Sequence, residues 1–174
     1  MDCREEVMKP KKEVTLTFKR SELVYDISNY CYVEGDVMPT EAEHARHQVL
    51  DVAESGNIDR VTRMLNLAHA ECVEFLYPYT KEKVDDGEMS SDLVEPEQYE
   101  IRLLLPIEFS KTTVNKLINL LHEYLVYSVM ADWLSITKPS ASENWANKLY
   151  LTKTKIQSTL MSRTKILKRK LKPF

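Results

Sequence analysis

Glycine is scarce in this sequence. Only three glycines, Gly35, Gly56 and Gly87, occur among 174 residues, well below the usual share of about 7%. This scarcity favours helices over tight turns. It also argues against a phosphate-binding loop, because such loops need glycine where the backbone approaches the ligand.

Cysteines are few and far apart. Cys3, Cys31 and Cys72 are odd in number and widely spaced, which fits reduced thiols in a cytoplasmic setting better than a disulfide framework. The first residues contain no apolar stretch, so we expect no secretory signal, and we interpret residues 1–12 as a flexible arm. The length suits one globular domain with a real core.

Acidic residues are absent from the last part of the chain. Residues 1–147 hold 15 basic and 27 acidic side chains, a balance of −12, whereas nine basic residues and no acidic ones follow from Lys148 onward. Charge that is segregated in this way indicates that the basic segment meets a partner or a neighbouring subunit.

The longest apolar stretch is a predicted helix between Val114 and Ile136. Apolar residues recur on one face at three- and four-residue steps, and a second apolar set lies opposite, which predicts a buried helix contacted from more than one direction. Its few charged residues still make it a poor membrane span, so we expect a core helix and no membrane association. The first face consists of Val114, Leu117, Ile118, Leu121, Leu125, Val129, Trp133 and Ile136, and the second of Leu120, Tyr124, Tyr127, Met130 and Leu134.

The rest of the pattern predicts a mainly helical bundle with a minimal two-stranded sheet. Alternating apolar residues predict strands over 13–18 and 99–107, which would pair at one side of the bundle. A lone two-stranded ribbon is marginal in water unless it is packed or extended by a partner strand. Besides the core helix, helices are expected over 21–34, 40–55 and 59–77 and from about 142 onward.

Local signals suggest where these helices begin. Ser21 is the expected N-cap of the first helix, and Thr40 and Glu43 have the spacing of a capping box. Residues 80–97 form a predicted polar loop. We therefore divide the chain into the arm 1–12, a helical core domain over 13–141 and a basic C-terminal segment over 142–174.

The last predicted helix carries a narrow apolar stripe with an eleven-residue repeat, which corresponds to about 3.67 residues per turn. A narrow stripe that ends in a run of cations favours a helix that docks on a partner. The residues predicted to dock are Trp145, Leu149, Lys153, Ile156, Leu160, Arg163, Leu167, Lys168, Arg169, Lys170, Leu171 and Lys172.

Three interpretations of this basic helix are open. It could bind nucleic acid through phosphates, lie against an acidic face of a protein, or be a solvated helix end whose cations complement the helix dipole. Protein docking is preferred, because the acidic remainder of the chain would repel DNA and attract a neighbour's basic segment. The segment also lacks the interleaved aromatic residues and the helix-turn-helix pattern of many nucleic-acid-binding proteins.

Metal binding and catalysis are weaker alternatives. His44 with His47, and His69 with Cys72, could supply four zinc ligands from two packed helices, but structural zinc sites more often use tight knuckles on turns. Glu71, Glu74 and Glu123 near His69 and His122 could form an acid–base group, yet no nucleophile motif accompanies them. We expect no metal, no cofactor and no enzymatic activity.

Several segments together resemble one group of proteins. The chain resembles small proteins encoded beside virion genes in phages and prophages of Bacteroides-like bacteria. The segments that carry the resemblance are Tyr99-Glu-Ile-Arg-Leu-Leu-Leu-Pro, His122-Glu-Tyr-Leu-Val and Asp132-Trp-Leu-Ser-Ile-Thr in the second half, and Thr15-Leu-Thr-Phe, Glu43-His-Ala-Arg-His and Leu67-Ala-His-Ala-Glu in the first. The resemblance covers most of the chain by overall pattern and brings no functional residues with it. It implies a virion protein of the head-to-tail connector class.

The expected function follows from this resemblance. Connector adaptors are small helical proteins that form a ring, often of twelve copies, beneath the portal, and their terminal segments clamp the portal or the next ring. We therefore expect a homo-oligomeric ring in the virion neck, made in the host cytoplasm, with the portal and neighbouring neck or tail proteins as partners. DNA would pass through the lumen without sequence-specific binding. The alternative is a helical nucleic-acid-binding or regulatory protein that uses the basic C-terminal helix.

Overall fold

A computed structural model gives the fold and describes residues 11–77, 79–80, 90–107 and 109–161. The described part is a helical bundle with one two-stranded antiparallel sheet, so the predicted fold class is confirmed. The elements are β1 (Lys11–Lys19), α1 (Arg20–Asp36), α2 (Glu43–Leu50), α3 (Ile58–Phe75), β2 (Gln98–Pro106), α4 (Lys111–Thr137) and α5 (Pro139–Met161), with short 3₁₀ helices at Thr40–Ala42 and Asp51–Ala53.

The two strands pair over their whole length. Lys11 is opposite Pro106 at one end, and Lys19 is opposite Gln98 at the other. Because side chains alternate along a strand, one face of the ribbon is apolar and lies on the helices, while the other face is exposed. The inward-facing residues that are buried are Leu16, Phe18, Tyr99, Ile101, Leu103 and Leu105.

The helix starts differ from the sequence prediction, most clearly at α1 and α2. Ser21 is not an N-cap: α1 continues directly from β1, Lys19 is the N-cap residue, and its side chain makes no capping hydrogen bond. The backbone N–H of Arg20 donates instead to Glu97 O at 3.0 Å, so the strand ladder holds the start of α1. The helix predicted from Thr40 begins as a 3₁₀ turn, and α2 itself starts at Glu43 with Ala42 as its N-cap residue.

The central helix α4 is the core of the bundle. It contacts α1, α2, α3 and α5, so the prediction of a helix packed from several directions is confirmed. Its start is fixed by Ser110, whose Oγ accepts a hydrogen bond from the Thr113 N–H at 3.0 Å. The prediction for its first apolar face is wrong only near the end of the helix, where Ile136 was expected to be buried and is exposed. The buried residues of α4 are Leu117, Leu121, Tyr124, Leu125, Val126, Val129, Met130, Trp133 and Leu134.

The last helix packs along α4. A single residue, Lys138, separates the two helices, and α5 starts at Pro139, a residue that suits the first helical position because its missing N–H would be unpaired there. Residues 90–97 form no helix or strand, but they are tied to α3 by hydrogen bonds from Asn66 to Val94 O and from Arg63 to Ser91 O. Among the residues described, none of the helices is both long and apolar enough to cross a membrane.

Candidate interaction surfaces

The beginning of α5 is anchored to α1 by polar contacts around one carboxylate. Trp145 Nε1 donates to Glu34 Oε1 at 3.0 Å, and Lys138 Nζ donates to Glu34 Oε2 at 2.7 Å and to the Glu34 carbonyl oxygen at 2.9 Å. Burial raises the pKa of Glu34, but the hydrogen bonds from Lys138 and Trp145 and the charges of Lys138 and Lys148 outweigh it, so the pKa lies below its ordinary value. Glu34 is therefore ionised at neutral pH and binds both residues.

Aromatic rings complete this anchor. The Trp145 ring lies edge-on to Tyr30, with 5.0 Å between centroids, and to Tyr127, at 5.5 Å. Edge-to-face packing of this kind adds to the burial of apolar area. The first part of the predicted docking stripe is thus occupied by side chains of the same chain.

The remaining described apolar residues of the stripe are also covered by the same chain. Ile156 is fully buried, and Leu149 and Leu160 are half-buried against the core. Trp145, Leu149, Ile156 and Leu160 therefore face their own bundle. The other predicted docking residues, Arg163, Leu167, Lys168, Arg169, Lys170, Leu171 and Lys172, lie outside the described residues.

Two of the three cations in the described part of the basic segment lie on aromatic rings. Lys148 Nζ is 3.8 Å from the centroid of Trp145, and Lys153 Nζ is 4.3 Å from that of Phe75. Such cation–π contacts hold a cation close to the protein's own surface. Lys155 is exposed.

The outer side of α1 carries exposed apolar side chains. Tyr25, Tyr32 and Val33 on the helix, and Val37 just after it, are each more than half exposed. Asp36 next to them is exposed and pairs with Arg46 at 3.0 Å. An aromatic and aliphatic patch beside a charged rim has the composition of a protein–protein interface, and we call these four residues the α1 patch.

The residues considered as zinc ligands do not form a metal site. His44 and His47 lie exposed on α2, whereas Cys72 is buried in the core. Nε2 of His69 donates to Glu100 O at 3.0 Å. Across the described ranges, no group of three or more His, Cys, Asp or Glu side chains is placed to hold a metal ion.

Three of the residues considered as an acid–base group, Glu71, His69 and His122, make separate structural contacts. Tyr124 donates to Glu71 Oε2 at 2.6 Å, which links α4 to α3. His122 Nε2 lies 2.8 Å from Asp26 Oδ2 and links α4 to α1. Burial lowers the pKa of His69 in spite of its hydrogen bond to Glu100 O, which keeps that ring neutral at pH 7.

A shallow cleft of about 700 Å³ lies at the start of α1. Arg20 lines it, but its guanidinium already donates to Thr62 Oγ1 at 2.6 Å and pairs with Glu95 at 3.3 Å. This arginine therefore links α1, α3 and the segment 90–97. Its contacts give it a structural role.

No protein-family model matches this chain, and no curated protein or solved structure matches it significantly.

Sequence reasoning missed the residues that anchor α5. Glu34 and Lys138 are polar and lie at helix ends, so apolar periodicity gives no signal for them. The stripe itself indicated that Trp145 and Ile156 would be covered, because large apolar side chains on one helix face are usually buried, but it favoured a partner as the covering surface.

Proposed function

We propose that this chain is a non-catalytic assembly subunit of a virion, of the head-to-tail connector class, which binds the portal through the basic residues that follow Met161. The connector class comes from the resemblance of its sequence segments. The binding mode comes from the way α5 is fixed to the bundle.

The observation that carries this proposal is the anchoring of α5. Trp145 and Ile156 are buried in the bundle, so the helix is attached to its own chain up to its described end at Met161. The next 13 residues hold six cations and no acid. A basic segment that starts from a fixed helix is suited to reach an acidic surface on a neighbouring protein, where charge complementarity guides and orients association.

The rest of the described surface supports a role in assembly. The α1 patch exposes two tyrosines and two valines, and tyrosine is enriched in protein interfaces because it combines apolar area with a polar tip. In the proposed ring, the α1 patch would contact the neighbouring subunit. The contacts made by His69, His122 and Glu71 stabilise the bundle, which agrees with a protein that works by assembly.

The test is binding to a portal protein encoded in the same genome, measured by native mass spectrometry. The structure shows where to truncate: ending the chain after Met161 keeps the buried Trp145 and Ile156, whereas ending it before Lys148 would remove part of the core. Full-length protein should form a ring-sized complex with the portal, and the truncated chain should not.

A charge-matched pair of variants tests whether portal binding depends on the cations that follow Met161 or only on the net charge of the chain. Replacing Lys168, Arg169, Lys170 and Lys172 with Gln should abolish portal binding. Replacing four exposed cations elsewhere, Lys12, Arg102, Lys111 and Lys116, removes the same charge and should leave binding in place. If the full-length protein does not bind the portal and instead binds DNA with an affinity that falls steeply with salt concentration, the connector proposal fails and the nucleic-acid alternative takes its place.

A further inference from the structure

Within the described ranges, the outer edge of β1 is open, in contrast to that of β2. On β2, the Leu104 N–H donates to Tyr79 O at 3.0 Å, and Glu100 O accepts from His69. Residues just after α3, and α3 itself, therefore cover the β2 edge. No such cover lies along β1 in the described part of the chain, and Val14, which faces inward, is only half-buried although its partner Leu103 is fully buried.

The strand register identifies which backbone groups face the open edge. Since Glu100 and Leu104 turn their backbone groups away from β1, the odd-numbered residues of β2 bond to β1. Ile101 is paired with Leu16, so the even-numbered residues of β1 bond to β2 and the odd-numbered ones face outward. Glu13, Thr15 and Thr17 thus direct N–H and C=O groups outward, and no group in the described ranges bonds to them.

The same residues present their side chains on the exposed face. The side chains on the exposed face of β1 are those of Lys11, Glu13, Thr15, Thr17 and Lys19, and all five are exposed. An edge of this kind is a template for a further strand. The charges along this strand are arranged so that a second copy of β1, running antiparallel, places opposite charges across from each other.

We propose that β1 pairs antiparallel with β1 of a second copy, with Leu16 of each copy opposite Leu16 of the other. In this register, Glu13 of each copy faces Lys19 of the other, and Thr15 faces Thr17. Opposite charges and threonine pairs directly across an antiparallel ladder are both favourable. The two ribbons together form a four-stranded sheet with the helices of both copies on one face.

Every other antiparallel register separates Glu13 from Lys19 of the second copy, and some bring like charges together. A shift that places Thr15 opposite Thr15 puts Lys11 against Lys19, and one that places Glu13 opposite Glu13 sets two carboxylates together. In a parallel pair in register, each charged residue of β1 lies beside the same residue of the second copy, so all charge pairs are repulsive. Lys19 already pairs with Glu22 at 3.2 Å, but both side chains are well exposed, so the lysine is free to turn towards Glu13 of the second copy.

This inference goes beyond the proposed function and does not depend on portal binding. A two-fold contact of this kind closes on itself. A ring beneath a portal is cyclic and has no two-fold axis between its subunits. In the proposed connector, the β1 dimer is therefore the form of the free protein and separates before the ring closes.

The test is sedimentation equilibrium of the full-length protein with charge-reversal variants of the edge. Wild type should be a dimer that dissociates on dilution. Glu13→Lys and Lys19→Glu should each raise the dissociation constant by about tenfold, because two attractive pairs become repulsive. The double variant Glu13→Lys/Lys19→Glu should return it to near the wild-type value. Glu143→Lys, an exposed charge reversal on α5, is the matched control and should have no effect.

The rescue by the double variant distinguishes this register from other contacts. If wild type is monomeric at all concentrations, or if the double variant dissociates as readily as the single ones, the β1 dimer is ruled out. Portal binding by these same variants is measured in parallel. If portal binding persists in variants that have lost the dimer, the connector proposal stands. If wild type does not bind the portal, only the connector proposal is contradicted.

Discussion

Trp145 and Glu34 are joined by a hydrogen bond of 3.0 Å between Nε1 and Oε1, although 111 positions separate them in sequence. Glu34 lies in the last turn of α1, and Trp145 lies in the second turn of α5. Lys138, which lies between α4 and α5, binds the other carboxylate oxygen. One side chain therefore fixes the end of α1, the α4–α5 connection and the beginning of the basic C-terminal helix.

Replacing this carboxylate is expected to destabilise the bundle in a pH-dependent way. Glu34→Gln should lower the free energy of unfolding by about 1.5–3 kcal/mol at pH 7, since it removes a charge-assisted hydrogen bond to Lys138. The pKa of Glu34 is lower in the folded protein, so its contribution is complete above the unfolded value of about 4.5 and is lost as the pH falls through the folded value. Urea unfolding of both proteins between pH 7 and pH 3 measures this difference.

Glu41→Gln serves as the control for this experiment, because Glu41 is exposed and should change stability by less than about 0.5 kcal/mol. A difference between wild type and Glu34→Gln that stays constant down to pH 3 would contradict the assigned role of the ionised carboxylate.

The two described cysteines are expected to be unreactive in the native protein. Cys31 and Cys72 are fully buried, and burial raises the pKa of Cys31 to about 12 and raises the pKa of Cys72 as well. Since the thiolate is the reactive form, a Cys3→Ser variant should react with a thiol reagent only on unfolding, when both thiols become available. Tyr150→Cys in the same background places a thiol at an exposed position of α5 and should react within seconds. Rapid labelling of the native Cys3→Ser protein would show that the core opens readily.

Side chains on α4 and α5 should differ sharply in their contribution to stability. Leu125 is fully buried in α4, whereas Leu151 on α5 is more than half exposed. Leu125→Ala should cost about 2–5 kcal/mol because it removes buried methyl groups and leaves a cavity. Leu151→Ala removes the same atoms from a surface position and should cost less than about 0.5 kcal/mol. Thermal unfolding of the two variants compares them directly, and equal losses would argue against the position of α4 as the core helix.

Local sequence patterns predicted the type and approximate place of the elements. The two-residue period over Val14, Leu16 and Phe18 and the helical period from Val114 to Trp133 are properties of the chain itself, since a face that is apolar in sequence must be covered in any stable fold. Capping was predicted less well. Ser21 had the right residue type for an N-cap, but α1 begins directly from β1 and its first N–H bonds to the segment before β2. Long-range backbone contacts of that kind have no local signal.

The C-terminal segment shows most clearly where sequence reasoning ends. Its apolar stripe and its excess of cations follow from the sequence alone, and together they favoured a helix that docks on a partner. The sequence did not determine which protein covers Trp145 and Ile156. The tertiary structure decides it, because the break at Lys138 and Pro139 brings α5 back along α4, where Glu34 and the rings of Tyr30 and Tyr127 meet Trp145. Burial within one chain avoids the loss of translational freedom that binding to a partner requires, so the described part of the stripe, from Trp145 to Leu160, packs on its own bundle.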